Sequence, residues 1–128
     1  MREFREIHSF EDLDVWKQGR KVQSKIREIV KLFPKCEQYR LTDQMIRSSR
    51  SVPRNIAEGY GRFHYQENIH FCRIARGSLT ELLNDLITAH EEQFIDQNKL
   101  VEIRNEIEVN ARLLNGYIRY LKKAKSEG

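Results

Sequence analysis

Between residues 40 and 62 the chain concentrates the side chains best able to hold a ligand. Arg47, Arg50 and Arg54 stand at i, i+3 and i+7, which on an α-helix places all three on one face. Arg40 and Arg62 bracket them. Each guanidinium presents a planar fork of N–H donors, so such a row can grip phosphates or carboxylates bidentately. The alternative is a solvated helix face. Catalysis finds less support. Glu58 is a lone carboxylate with no second acid or histidine at a useful spacing, and no nucleophile–base set occurs elsewhere. Asn55 and Glu58, three residues apart, are expected instead to form a buried or interfacial hydrogen-bonding pair. Gly59-Tyr60-Gly61 lacks the Gly-Lys-Ser/Thr context of a phosphate loop. His64, His70 and His90 lack metal-ligand spacing, and Cys36 and Cys72 form no CxxC pair. We therefore expect no enzyme activity, no cofactor and no metal.

Four amphipathic helices must position these groups. The first is expected from Glu11 or Asp12, with Ser9 as cap, to the stop at Pro34. Its apolar line is Leu13, Trp16, Gly19, Val22 or Gln23, Ile26, Ile29, Val30 and Phe33, a helical period over about 22 residues. That period assigns Trp16 to the core. The second helix is expected from Leu41 to Tyr60, burying Leu41, Met45, Ser49 or Ser48, Val52, Ile56 and Tyr60. Pro53 within it removes the bond to the Ser49 carbonyl and is expected to kink or break the helix, with the hydroxyls of Ser48, Ser49 and Ser51 helping to satisfy the freed group. Gly59 and Gly61 are expected to punctuate its end.

The third helix opens near Tyr65, with His64 and Glu67 at capping-box spacing. Ile69, Cys72, Ala75 or Arg76, Leu79, Leu82 or Leu83, Leu86 and Ala89 form its core stripe. Gly77-Ser78 in its interior implies close packing against another helix. Asp96 is expected to cap the fourth helix, whose core line is Leu100, Ile103, Ile107, Leu114, Ile118 and Leu121. Val101, Val109, Leu113, Tyr117 and Tyr120 widen that line past one face, which implies a second partner, another subunit. The fold expected is all-α: an antiparallel up-down-up-down four-helix bundle over residues 11–124, preceded by an N-terminal arm, residues 1–10.

Composition agrees with this and narrows the class. A chain of 128 residues forms one domain that can bury a core unaided. Two prolines and six glycines leave little room for the turns of an all-β fold. The net charge of +4 is unevenly spread: residues 40–76 hold seven arginines against three acids, and residues 77–110 hold eight acids against two bases. Such alternation suits polyanion binding, or pairing of segments across subunits. No apolar run reaches the roughly 18 residues that cross a bilayer, so no membrane partner is expected. With no signal-peptide pattern, the thiols are expected to be reduced and the protein cytoplasmic.

Specific motifs also carry a family resemblance. Asp14-Val15-Trp16, Phe33-Pro34, Gln44, Arg47 and the run Pro53-x-Asn55-Ile56-Ala57-Glu58-Gly59-Tyr60-Gly61-Arg62 are its core. Ala75-x-Gly77-Ser78-Leu79-x-Glu81-Leu82 and Leu113-Leu114-Asn115-Gly116 complete it. The sequence resembles, from about residue 11 to 123, the bacterial four helix bundle proteins encoded in intervening sequences of 23S ribosomal RNA genes. It is also similar to the accessory variability protein of diversity-generating retroelements, a basic pentameric barrel that works with a reverse transcriptase and nucleic acid. The resemblance implies a homopentamer of antiparallel bundles, makes Pro53, Asn55, Glu58, Gly59, Gly61, Gly77 and Ser78 its structural signature, and carries over no catalytic residue. It sets Ser48, Ser49, Arg50 and Arg54 where small apolar residues are commoner, and His64 where a serine cap is usual. Two functional readings follow. In one, an oligomeric bundle binds ribosomal RNA or another nucleic acid through Arg47, Arg50, Arg54 and Arg62, with Lys122 and Lys123 as further contacts. In the other, a structural adaptor engages a protein partner and spends its arginines on acids such as Glu58, Glu81 or Asp85 within or between subunits.

Overall fold

The computed structural model describes residues 6–128, and all regular structure among them is helical. Helix α1 spans Asp14–Ile29, α2 Leu41–Gly61, α3 Tyr65–Glu91 and α4 Gln97–Glu127. Each helix packs on its successor, and α4 closes the bundle on α1. Cross-helix bonds show the directions. Along α1 and α4, Lys25 pairs with Glu102 at 3.0 Å, Lys21 with Glu106 at 3.1 Å, and Val15 with Asn110, the numbers falling as their partners rise. Between α2 and α3, Ser51 meets Ser78 and Gly59 meets Asn68. Both pairs of helices are antiparallel, as the short connections between successive helices require.

The core follows the expected stripes closely on α3, where Ile69, Cys72, Ala75, Leu79, Leu82, Leu86 and Ala89 are all buried. On α4 the buried line is Ile103, Ile107, Leu114, Ile118 and Leu121, with Leu100 half-buried, and Asp96 caps the helix by accepting from the Lys99 N–H at 2.9 Å. Val101, Leu113 and Tyr120 remain exposed beside it. No helix among the described residues is long and apolar enough to cross a membrane.

The first helix is shorter than expected. Ser9 does cap a turn, accepting from the Glu11 N–H at 3.1 Å, but that turn is a 3₁₀ piece, Phe10–Asp12. Asp12 reaches back to accept from the His8 and Ser9 N–H groups at 2.8 and 3.2 Å, which holds its carboxyl below the usual range. Leu13 is extended, so α1 proper starts only at Asp14. At its far end α1 tightens into a second 3₁₀ turn, Val30–Leu32, because Phe33 precedes Pro34 and must be extended. Val15, not Trp16, is the buried residue of the first turn. Trp16 is half-buried, edge-on to Phe10 at 5.2 Å with the Arg20 guanidinium over its ring. Residues 1–5 of the expected arm lie outside the described residues.

Pro53 does not break α2, which runs through it to Gly61. The proline ring is buried against α1 at Gly19, where an added Cβ would lie 3.4 Å from it. Nor do the serine hydroxyls turn to the freed carbonyl. Ser48 donates to Gln44 O and Ser49 to Ile46 O, each at 2.9 Å, because a helical hydroxyl reaches the turn before its own. The glycines also differ from expectation. Neither Gly59 nor Gly61 adopts a positive φ, and the residue that turns the chain after α2 is Phe63, at φ 60°. Gly59 instead lets α3 approach, whereas Gly61 and Gly77 face open space, so Gly77 serves no close packing. Tyr60 is half-buried and Gly59 takes the buried position beside it. His64 occupies the N-cap of α3 but makes no side-chain cap bond.

The two thiols occupy opposite environments. Cys72 is wholly buried, and the loss of solvation pushes its thiol up to about 12, whereas Cys36 is exposed. The thiolate is the reactive form. One thiol per chain is therefore expected to react with a colorimetric disulfide reagent at pH 8 in the native protein, and two in denaturant. Rapid native reaction of both would show that the α3 core opens readily.

Candidate nucleic-acid interface

Helices α2 and α3 pack antiparallel and leave an open polar groove between them, with a volume of about 1010 Å³. Arg47, Arg50 and Arg54 all line it, as their helical spacing requires. The floor is a short hydrogen-bonded network. The Ser51 and Ser78 hydroxyls are 2.8 Å apart across the two helices, and Asn55 Nδ2 donates to the Ser51 carbonyl and hydroxyl at 2.8 and 2.9 Å. Glu58 and Glu81 stand on the rim, and Phe71 supplies an apolar wall.

The arginines differ in their engagement. Arg47 pairs with Asp43 one turn earlier, at 3.3 Å, with 78% of its side chain in solvent, so the pair restrains it weakly. Arg50 and Arg54 are exposed and have neither ion pair nor hydrogen bond among the described residues. Two permanent cations therefore line the groove without a direct ion pair. Arg62 is committed elsewhere. It bonds Glu58 at 2.9 Å, approaches Glu67 at 3.8 Å and lays its guanidinium 5.1 Å over the Phe71 ring, tying the end of α2 to the start of α3. The expected Asn55–Glu58 pair is thus replaced by two separate ties, Asn55 to Ser51 and Glu58 to Arg62.

Beyond Arg47 the surface changes sign. Gln44, Thr80, Glu81, Asn84 and Asp85 border a neighbouring depression. Burial raises the Asp85 carboxyl, against a hydrogen bond from Asn84, and the nearby Glu81 charge adds to the rise. Lys122 and Lys123 are not gathered into either. They lie exposed at the end of α4, where Lys122 lines a shallow recess with Gln66, Ile69, Arg73 and Lys125. Among the described residues no cluster of three or more metal-ligating side chains forms.

The fold and its signature residues can now be compared with known proteins. The model of the 23S rRNA-intervening sequence protein family matches residues 11–116, most of the chain. The chain belongs to this family. Its architecture also recurs in a crystal structure of a protein of unknown function, from the S23 ribosomal protein family, of Bacteroides thetaiotaomicron. That chain is 20% identical, superposes with a TM-score of 0.75, and the match covers 81% of this chain and 97% of that one. At that identity the likeness concerns the fold. No curated protein matches the chain.

Within this family member five of the seven signature residues fall into two structural sets, and Gly61 and Gly77 face open space. Asn55, Glu58 and Ser78 line the groove with the arginines, while Pro53 and Gly59 sit at helix–helix contacts. The sequence reading held the signature and the arginines apart. Helical spacing could have joined them, since Arg47, Ser51, Arg54, Asn55 and Glu58 share a face at i, i+4, i+7, i+8 and i+11. The Ser51–Ser78 bond and the Phe71 wall had no such signal, because they depend on the register of α3 against α2.

Proposed function

We propose that this member of the 23S rRNA-intervening sequence protein family is a non-enzymatic, self-associating cytoplasmic bundle that binds structured RNA through the α2–α3 groove. The observation that carries the reading is the pair Arg50 and Arg54, unpaired cations on a polar floor. With Arg47 they are spaced about 4.5 and 6 Å along the helix axis, a row suited to successive contacts on a phosphate backbone. Of the two carboxylates that line the groove, Glu58 is tied to Arg62, and neither has a histidine or nucleophile beside it in the lining, which supports binding over acid–base chemistry. The family resemblance supports a homopentamer, and the exposed Val101, Leu113 and Tyr120 of α4 support burial of that face against another copy.

One observation favours a second reading. The acidic depression around Glu81 and Asp85 adjoins the arginine groove, so the same face of two subunits can pair base to acid. The double variant Arg50→Glu/Arg54→Glu separates the two. Under the RNA reading it weakens binding of a labelled ribosomal RNA hairpin roughly 10- to 100-fold and lowers the slope of log affinity against log salt by about 1.4–1.8, with sedimentation unchanged. Under the adaptor reading the oligomer dissociates and any RNA retention is unaltered. Unchanged RNA affinity with an intact oligomer would defeat both.

A further inference from the structure

The connection from α2 to α3 consists of Arg62, Phe63 and His64 alone. Phe63 is the anomaly within it. Its ring is 86% exposed, and its backbone sits at φ 60°, a left-handed conformation that a bulky residue adopts at a cost and that glycine adopts freely. Nothing within the bundle offsets that cost by burying the ring. Its nearest aromatic neighbour is Tyr60, with ring centroids 6.4 Å apart and planes inclined by 54°. The backbone that carries the ring is nonetheless anchored on both sides. On one side Arg62 is clamped by Glu58, Glu67 and Phe71, and the Phe63 N–H bonds back to Tyr60 O at 3.4 Å. On the other side α3 begins at once. An exposed aromatic on a strained, anchored backbone at a loop tip points to a binding feature.

The surroundings indicate what it binds. The same end of the bundle receives the C-terminus of α4, because Lys125 bonds Gln66 and Gly128 lies by Tyr65. Lys122 and Lys123 come with it, both exposed and without partners among the described residues. His64 and a half-exposed Tyr65 complete the tip. An exposed ring at the same end of a bundle as free cations suits unpaired nucleotides: bases stack on the ring and the phosphates that follow meet the lysines.

We propose that the α2–α3 turn is a stacking platform for an unpaired base, with Phe63 as the ring on which the base lies and Lys122 and Lys123 holding the adjoining backbone. The inference rests on the RNA reading of the groove and refines it, since it assigns to the bundle end a preference for loops or single strands over continuous duplex.

The test is Phe63→Gly, a substitution that suits the backbone and removes only the ring. The variant is expected to keep its oligomeric state and to unfold at equal or higher urea concentration. Its affinity for a single-stranded uridine 12-mer is expected to fall about 5- to 150-fold, with affinity for a duplex of equal length unchanged. Phe63→Trp in a Trp16→Phe background is expected to bind the 12-mer within threefold of the parent, with its fluorescence quenched on binding. The proposal is overturned if Phe63→Gly binds the single strand as well as the parent, if it loses single strand and duplex alike, or if it dissociates the oligomer, which would make Phe63 a subunit contact. Failure of the groove reading has a different signature: the parent protein would bind neither probe.

Discussion

Replacing Asn110 with aspartate is expected to cost about 3–5 kcal/mol at neutral pH, the penalty of an uncompensated buried charge. Asn110 sits midway along α4 with no exposed surface. Its Nδ2 donates to the Val15 carbonyl at 3.1 Å, joining α4 to α1, and its Oδ1 has no hydrogen-bond partner. Val52 and Pro53 of α2 close the site from a third side, since a Cβ on Gly19 would meet both at 3.4 Å and Asn110 Oδ1 at 3.5 Å. A carboxylate there would place negative oxygen against the Val15 carbonyl and lose the only donor. Against a total stability of about 5–15 kcal/mol the loss is large, and the melting temperature is expected to fall by about 10–20 °C.

The penalty should also depend on pH, and its sign follows from burial. A buried carboxyl favours its neutral form, so its folded-state pKa lies above the unfolded value of about 3.9. Below the unfolded value the acid is protonated in both states, and its O–H can donate to Val15 as the amide did. The deficit relative to the parent is therefore expected to be small there and to grow as pH rises through the folded pKa. Urea denaturation of both proteins across pH 3–8 checks this. A deficit that does not change with pH would mean that water reaches the site.

Gly59→Ala is the second large effect. A Cβ at Gly59 would lie 2.7 Å from Asn68 Oδ1, 3.0 Å from Phe71 Cβ and 3.1 Å from the Asn68 carbonyl. The last of these is helix backbone and cannot step aside, so α2 and α3 must separate. Asn68 is itself a junction: its Nδ2 donates to the Tyr117 hydroxyl at 3.1 Å, and its Oδ1 accepts from Cys72 at 3.5 Å. Burial pushes Tyr117 up to about 12, which keeps it a neutral partner for Asn68. Displacing Asn68 therefore disturbs α4 as well. We expect a loss of about 3 kcal/mol on urea denaturation. Gly77→Ala supplies the contrast. Gly77 is exposed in mid-helix with nothing near its missing side chain, so alanine there is expected to stabilise by about 0.5–1 kcal/mol. Equal effects at the two positions would contradict the packing described.

Much of the architecture is legible from residue types alone, and the physical cause is one-sided burial. A helix that hides one face must repeat apolar residues at its own period, so Ile69 to Ala89 and Ile103 to Leu121 announce both the elements and their buried faces. Asp96 marks its helix start because an unpaired N–H needs an acceptor nearby. The arginine row is legible for the same geometric reason: Arg47, Arg50 and Arg54 share a face whatever that face meets.

What the other helices bring to each face is decided only in three dimensions. Gly59 and Gly77 are the same residue in similar helices, yet one admits α3 and the other faces open space. Arg54 lies within α2 and Arg62 directly after its end, but two carboxylates and the Phe71 ring hold Arg62, and nothing among the described residues holds Arg54. Asn110 is a polar residue on a core line, recognisable as a junction only once Val15 stands opposite it. Period specifies direction around a single helix. It carries no information about the register between helices, and in this protein that register makes the groove.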